Sequence, residues 1–229
     1  MSPLLKNQMY SFLKRLIDLF ISIFSIVFLS PILIPISIIL RFSGEGEILF
    51  LQKRVGLKNK EFNLYKFATM LKDSPNLGSG IYTAKNDSRI LPFGHFLRKS
   101  KINELPQLVN IILGDLSLVG PRPLIKKTFD LYEEKDRLEI SSVKPGLTGV
   151  GSIIFRNEEE ILENAKVQDL ENFYKNKITP YKASVEKWYV KNRSTKVDLI
   201  IIFLTAWAII FKKSKLIFRI FKDLPKLNF

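Results

Sequence analysis

Hydrophobic positions are gathered unevenly along this chain. From Leu16 to Leu40 almost every residue is apolar (LIDLFISIFSIVFLSPILIPISIIL), with no polar stripe at helical spacing. A helix that is apolar all round lies in a core or in a membrane. The run is too long and bulky for a cleaved leader and has no small-residue cleavage site. It supplies the roughly 20 apolar residues that a membrane helix needs. Two forms stay open on the residues alone. Either the helix spans, or it enters, breaks at Ser30-Pro31 and Pro35, and returns. Proline removes a backbone donor, and Ser30 can satisfy a freed carbonyl. Asp18 is expected at the interface beside Lys14 and Arg15.

After Leu40 the pattern becomes that of a folded domain. Ile48–Val55 and Glu61–Met70 read as short strands around a turn at Gly56–Lys60. Asp73–Gly80 is a Pro/Gly/Ser loop. Pro92–Arg98 reads as a short helix. Ile102–Leu113 (INELPQLVNIIL) reads as a longer one, with apolar residues at 102, 105, 108, 109, 112 and 113, Asn103 as its cap and Gly114 as its stop. Leu124–Ser142 predicts a charged helix and Glu158–Lys177 an amphipathic one. The last apolar block, Val197–Phe211, is too short for a hydrocarbon core about 30 Å thick, so it predicts an interfacial or buried helix. A basic tail follows it (Lys212, Lys213, Lys215, Arg219, Lys222). Together these predict an α-rich, α/β-type membrane-associated domain carrying a membrane helix and interfacial helices. The expected parts are 1–41, a catalytic domain at 42–196, and 197–229.

Composition narrows the chemistry. Lysine and arginine outnumber the acids 36 to 22, a net charge of +14. Such a balance favours a polyanionic partner. The chain shows no zinc-finger spacing and no aromatic RNA-binding strand, and its basic residues flank the apolar blocks, which favours anionic lipid and phosphates over nucleic acid. With no cysteine and one histidine, His95, disulfides, thiolate catalysis and His/Cys metal sites are excluded. His95 reads as packed or interfacial. Trp188, Tyr189 and Trp207 read as interface aromatics or core. What remains for chemistry is carboxylates and cations.

These concentrate in RKSKINELPQLVNIILGDLSLVGPRP, residues 98–123. Arginine forks match paired phosphate oxygens, and Mg²⁺ takes one or two carboxylates together with phosphate. Arg98, Glu104, Asp115 and Arg122 are therefore candidates, although Glu104 and Asp115 read equally as solvated helix-end carboxylates. Arg122 stands between two prolines, whose rigidity lowers the entropic cost of presenting a guanidinium. Lys66 reads as a solvated strand lysine unless phosphates lie beside it, and Lys144-Pro145-Gly146 as a turn.

As an ordered string, residues 12–150 resemble the bacterial sugar transferases, the monotopic phosphoglycosyl transferases. The matching segments are Lys14-Arg15-Leu16-Ile17-Asp18, Gln52-Lys-Arg-Val-Gly56, Tyr65-Lys-Phe67, Thr83-Ala-Lys-Asn-Asp-Ser-Arg-Ile90, Gly94-His-Phe-Leu-Arg-Lys99, Asn103-Glu-Leu-Pro-Gln107, Gly114-Asp-Leu-Ser-Leu-Val-Gly-Pro-Arg-Pro123 and Val143-Lys-Pro-Gly-Leu-Thr-Gly149. The resemblance implies transfer of a sugar-1-phosphate from a nucleoside-diphosphate sugar, of the UDP class, to undecaprenyl phosphate. It implies Mg²⁺ and a monotopic place on the cytoplasmic face of the bacterial inner membrane, with a homodimer among the allowed assemblies. It favours re-entry at Ser30-Pro31. It implies catalytic roles at Asn103 and Glu104, a metal role at Glu104, and substrate binding by Lys66, Arg98, Arg122, Lys144, Pro145 and Gly146. Two positions depart from the pattern. Asn103 stands where the family has its nucleophilic aspartate, and Ala68 where a basic residue is frequent. A neutral amide does not attack phosphorus. Three outcomes follow: Glu104 takes the covalent role, the transfer is direct, or the chain is a silent membrane scaffold.

Overall fold

The computed structural model describes residues 3–74, 87–156, 170–211 and 214–226. The predicted elements at 75–86 and 157–169 lie outside them, including part of the Thr83–Ile90 segment and most of the expected 158–177 helix. The chain forms two compact units. One gathers Met1–Asp18, Arg54–Phe62 and Gly114–Phe229; the other gathers Leu19–Lys53 and Asn63–Leu113.

Helix α1 runs from Pro3 to Arg41 without interruption, through Pro31 and Pro35. The break expected at Ser30-Pro31 is therefore not a gap in the helix. Pro31 cannot donate to the carbonyl four residues earlier, that of Val27, and the Ser30 hydroxyl donates to that oxygen instead (2.7 Å). Its apolar surface is largely uncovered. Phe20, Phe24 and Phe28 are exposed and stack one turn apart, with ring centroids 6.3 and 5.9 Å apart.

In the second unit the last turns of α1 are buried by a small core. Ile36, Leu40, Phe67 and Leu97 meet there, with Leu33, Ile48, Phe93 and Ile102 packed around them. Strands β1 (Leu49–Val55) and β2 (Glu61–Phe67) form a two-stranded sheet around a tight turn at Leu57–Asn59. Helix α2 (Pro92–Lys99) starts on Pro92, whose fixed φ and missing donor suit a first helical position. The expected helix from Ile102 to Leu113 is divided. Ile102–Glu104 is a 3-10 turn, and α3 begins only at Gln107. Pro106 is the physical reason: it supplies no N–H and crowds the carbonyl of Ile102. Asn103 is consequently no helix cap.

In the first unit, short strands β3 (Ser117–Val119) and β4 (Gly146–Thr148) pair in parallel, Ser117 opposite Gly146 and Val119 opposite Thr148. The charged stretch after Leu124 is two short helices, α4 (Lys126–Phe129) and α5 (Glu134–Ile140), rather than one. Phe129, Tyr132 and Ile140 pack with Val55 and Ala183. Helix α6 (Val150–Ile154) follows β4. Helix α7 (Leu170–Phe173) passes through a π-turn at Tyr174–Ile178 into α8 (Thr179–Asn192).

Ser194 caps α9 (Thr195–Ile210), accepting from the Val197 N–H. This helix buries Asp198, Ile201, Leu204 and Ala208 and exposes Leu199, Phe203, Ile209 and Ile210. The tail is not merely a basic appendage. Helix α10 (Leu216–Ile220) and the residues after it bury Ile217, Phe221 and Leu224, and Asp223 accepts from the Trp188 indole (2.7 Å). Trp188 and Tyr189 are core residues, whereas His95 is exposed.

Candidate active site

The segment from Val119 to Leu124 has its backbone fixed from several sides, all within the first unit. The Gly120 N–H donates to the Thr148 carbonyl (2.9 Å), and the Pro121 carbonyl accepts from the Gly146 N–H (2.8 Å). The Arg122 N–H donates to a carboxylate oxygen of Glu186 (3.2 Å). The Pro123 carbonyl accepts from the Arg54 guanidinium (3.1 Å), and the Leu124 carbonyl from the Val55 N–H (2.8 Å). The Val119 carbonyl accepts from both the Lys14 ammonium (2.9 Å) and the Tyr189 hydroxyl (3.0 Å).

This clamp brings the two glycine-proline segments of the sequence into direct contact. A Cβ on Gly146 would sit 2.1 Å from the Gly120 nitrogen, and one on Gly120 would sit 2.5 Å from the Lys144 carbonyl oxygen. Neither separation is possible for a side chain, so glycine at both positions is a packing requirement. The outcome is an exposed Arg122 on an immobile backbone. The cleft beside it, lined by Pro121, Leu124, Ser141 and Pro145, holds only about 10 Å³, the room of one water. A phosphate would meet Arg122 at an open surface.

Lys144 lies apart from that cleft. Its ammonium and the Arg15 guanidinium both approach Gly114, at 3.5 and 3.7 Å from where a Cβ would stand. Burial lowers the pKa of Lys144, and the Arg15 charge lowers it further, with Asp18 and Asp115 opposing. Two cations held near one glycine favour an anion between them.

The basic-acidic segment at 14–18 is structural in a way the sequence reading did not foresee. Asp18 is 4% exposed rather than interfacial, and it accepts from the Ser117 hydroxyl (2.7 Å) and the Leu118 N–H (3.0 Å). Lys14 forms an ion pair with Asp198 (2.8 Å), which also accepts from the Tyr10 and Tyr189 hydroxyls (2.9 and 2.8 Å). Asp198 and Glu186, both buried, gave no signal in sequence. Each is the lone acid of its helix, and its partners come from other segments.

The second unit holds Lys66, Arg98, Asn103 and Glu104. Lys66 is half-buried on β2, which α3 secures through Asn110: that amide accepts from the Tyr65 N–H (2.9 Å) and donates to the Asn63 carbonyl (2.8 Å). Arg98, at the end of α2, reaches the Thr69 hydroxyl (3.4 Å). Helix α2 packs on the 3-10 turn that carries Asn103 and Glu104. Glu104 is half-buried. Asn103 is 8% exposed, and its side-chain oxygen has no hydrogen-bond partner. An orphaned buried oxygen beside a carboxylate suits a hard cation, which takes oxygen ligands and completes its shell with phosphate and water. No cluster of three acids or histidines exists among the described residues.

The bacterial sugar transferase family model matches residues 9–212. The chain belongs to the bacterial sugar transferase family. An uncharacterized sugar transferase, EpsL, of Bacillus subtilis is 37% identical over 193 residues, 84% of this chain and 85% of that protein. The exopolysaccharide production protein ExoY of Sinorhizobium fredii is 29% identical, covering 86% of this chain and 84% of its own length. The UDP-N-acetylgalactosamine-undecaprenyl-phosphate N-acetylgalactosaminephosphotransferase of Aeromonas hydrophila is 28% identical over 90% of this chain, which spans 45% of that longer protein. The sugar transferase thus has relatives of its own length and others that carry further sequence. Family members with assigned activities are named as phosphotransferases acting with undecaprenyl phosphate.

Proposed function

We propose that this chain transfers a sugar-1-phosphate from a UDP-class nucleotide sugar to undecaprenyl phosphate, the first membrane step of a surface glycan. The observation that carries this reading is the clamped Gly120–Pro123 turn, which holds an exposed arginine on a fixed backbone inside a family whose named members handle undecaprenyl phosphate. On the direct route a phosphate oxygen of the carrier attacks the β-phosphorus of the donor. The bond from that phosphorus to the bridging oxygen breaks, and UMP leaves. Arg122 and Lys144 in the first unit, and Arg98 and Lys66 in the second, are each unit's candidate cations for phosphate; fixed cations of this kind stabilise phosphoryl transfer. Pro145 and Gly146 wall the nucleotide side. Glu104, with the Asn103 oxygen, would hold Mg²⁺, which would supply positive charge against the diphosphate.

Asn103 decides the route. Its amide is not a nucleophile, so transfer is either direct or takes Glu104 as the covalent group. The α1 helix is the membrane anchor, entering and leaving by the cytoplasmic face. In support, Gln8–Arg41 is apolar and mostly uncovered, and its two prolines remove amide donors in its last third. The exposed apolar side chains of α9 add an interfacial contact.

The test is UMP release from a panel of UDP-sugars with Mg²⁺ and polyprenol phosphate, by this chain and by Asn103→Asp. Activity in both is the expected result. If only Asn103→Asp is active, the second reading prevails: a silent scaffold that keeps the fold, the reading that a neutral amide at position 103 favours. Full activity in Glu104→Gln would remove the role given to Glu104.

A further inference from the structure

We propose that Glu186 is a positioning residue for Arg122: its carboxylate fixes the proline-flanked turn through which the guanidinium is presented to donor phosphate. The donor half of this statement rests on the function proposed above; the clamp itself does not.

Pro121 and Pro123 have no N–H, so Arg122 carries the one amide donor of the three-residue turn. That donor goes to Glu186. The carboxylate comes from mid-helix α8, sixty-four residues away in sequence, and is 5% exposed. Its seat is cut by a glycine: a Cβ on Gly151 would lie 2.2 Å from the bonded oxygen. The second oxygen of Glu186 is buried with no hydrogen-bond partner. A buried carboxylate with one bond destabilises a fold relative to an apolar residue of like volume. Packing therefore gives no reason for an acid here, whereas control of the Arg122 backbone does.

The charged groups facing the carboxylate are Arg122 and, one turn earlier on α8, Lys182; Gly151 of α6 brings none. The Lys182 ammonium is occupied with the Tyr174 hydroxyl (2.8 Å) and lies over the Phe155 and Tyr174 rings (5.0 and 4.9 Å). Burial pushes the Glu186 carboxyl up to about 7, against the opposing pull of the Arg122 amide and the two cations. An ionised acceptor holds an N–H more strongly than a neutral one. The turn therefore tightens as pH rises through neutrality.

The experiment is amide hydrogen exchange at Arg122 between pH 5.5 and 8.5, corrected for intrinsic exchange, in the full chain and in Glu186→Gln and Glu186→Ala. The original chain should gain protection by several-fold as Glu186 ionises. Glu186→Gln should be flat with pH, and Glu186→Ala should lose roughly tenfold, the loss of a charge-assisted hydrogen bond. UDP binding with Mg²⁺ is titrated in parallel, and its affinity should follow the same limb in the original chain and lose it in Glu186→Gln. Unchanged Arg122 exchange in all three proteins, or a pH limb retained by Glu186→Gln, overturns the proposal. Exchange that tracks Glu186 while UDP fails to bind at every pH would support the clamp and overturn the donor role of Arg122, a distinct failure.

Discussion

The two regions that carry the candidate residues are built on opposite principles. Around Arg122 each residue from Val119 to Leu124 has a backbone group bonded to another segment, and the Arg122 side chain is left exposed. Around Glu104 the chain is a single 3-10 turn set off by Pro106, and it buries an amide oxygen that nothing satisfies. A turn that presents a fixed cation to phosphate needs rigidity, because a misplaced guanidinium loses its match to paired oxygens. A place that takes a metal ion or a reacting atom needs unsatisfied oxygen, because satisfied oxygen has no bond to offer. The contrast separates a presenting region from a receiving one.

The sharpest way to break this contrast is Gly146→Val. Its Cβ has no room against the Gly120 nitrogen, so the paired loops must separate. The loss should reach about 4 kcal/mol or more, seen as failure to fold or a collapsed midpoint in urea. Next comes Asp198→Ala, which leaves the Lys14 ammonium and two tyrosine hydroxyls without their shared acceptor. Breaking a buried ion pair from one side costs about 3–5 kcal/mol, read by the same titration.

The third effect depends on pH. In the unfolded chain Glu186 titrates near its ordinary value of 4.5, and in the folded chain at about 7. Between these values the folded state binds the proton more tightly. Stability is therefore highest below pH 4.5 and falls as pH rises to about 7, by roughly 3 kcal/mol at most from this group. Glu186→Gln should remove that part of the slope; an unchanged slope would show that the carboxyl titrates normally. The smallest effect is at the receiving region. Asn103→Ala gives up no hydrogen bond from its side-chain oxygen and should change stability by less than about 1 kcal/mol. A larger loss would mean that the amide is structural after all.

Much of the molecule was legible in its hydrophobic pattern. The long apolar helix, the hairpin around Gly56–Lys60, α2 and α9 follow from local spacing and from proline and glycine positions. The misreadings share one cause. Asn103 looked like a cap and Asp18 like an interfacial charge, because local sequence shows what a residue can bond to nearby and not what distant segments bring to it. Pro106 is tolerable in a helix's first turn by local rules, so the regular apolar spacing read as one helix over 102–113, and only the folded chain shows the division there.

By itself the sequence determined the family resemblance, the long apolar helix, the absence of thiol and imidazole-cluster chemistry, and the departure at Asn103, since these depend on residue identity and order. Only the tertiary structure decided that two glycine-proline segments interlock, that Asp198 and Glu186 are buried partners of Lys14 and Arg122, and that Asn103 keeps an unsatisfied oxygen. Those are properties of atoms brought together from far along the chain, where burial strengthens each polar contact and penalises each missing one.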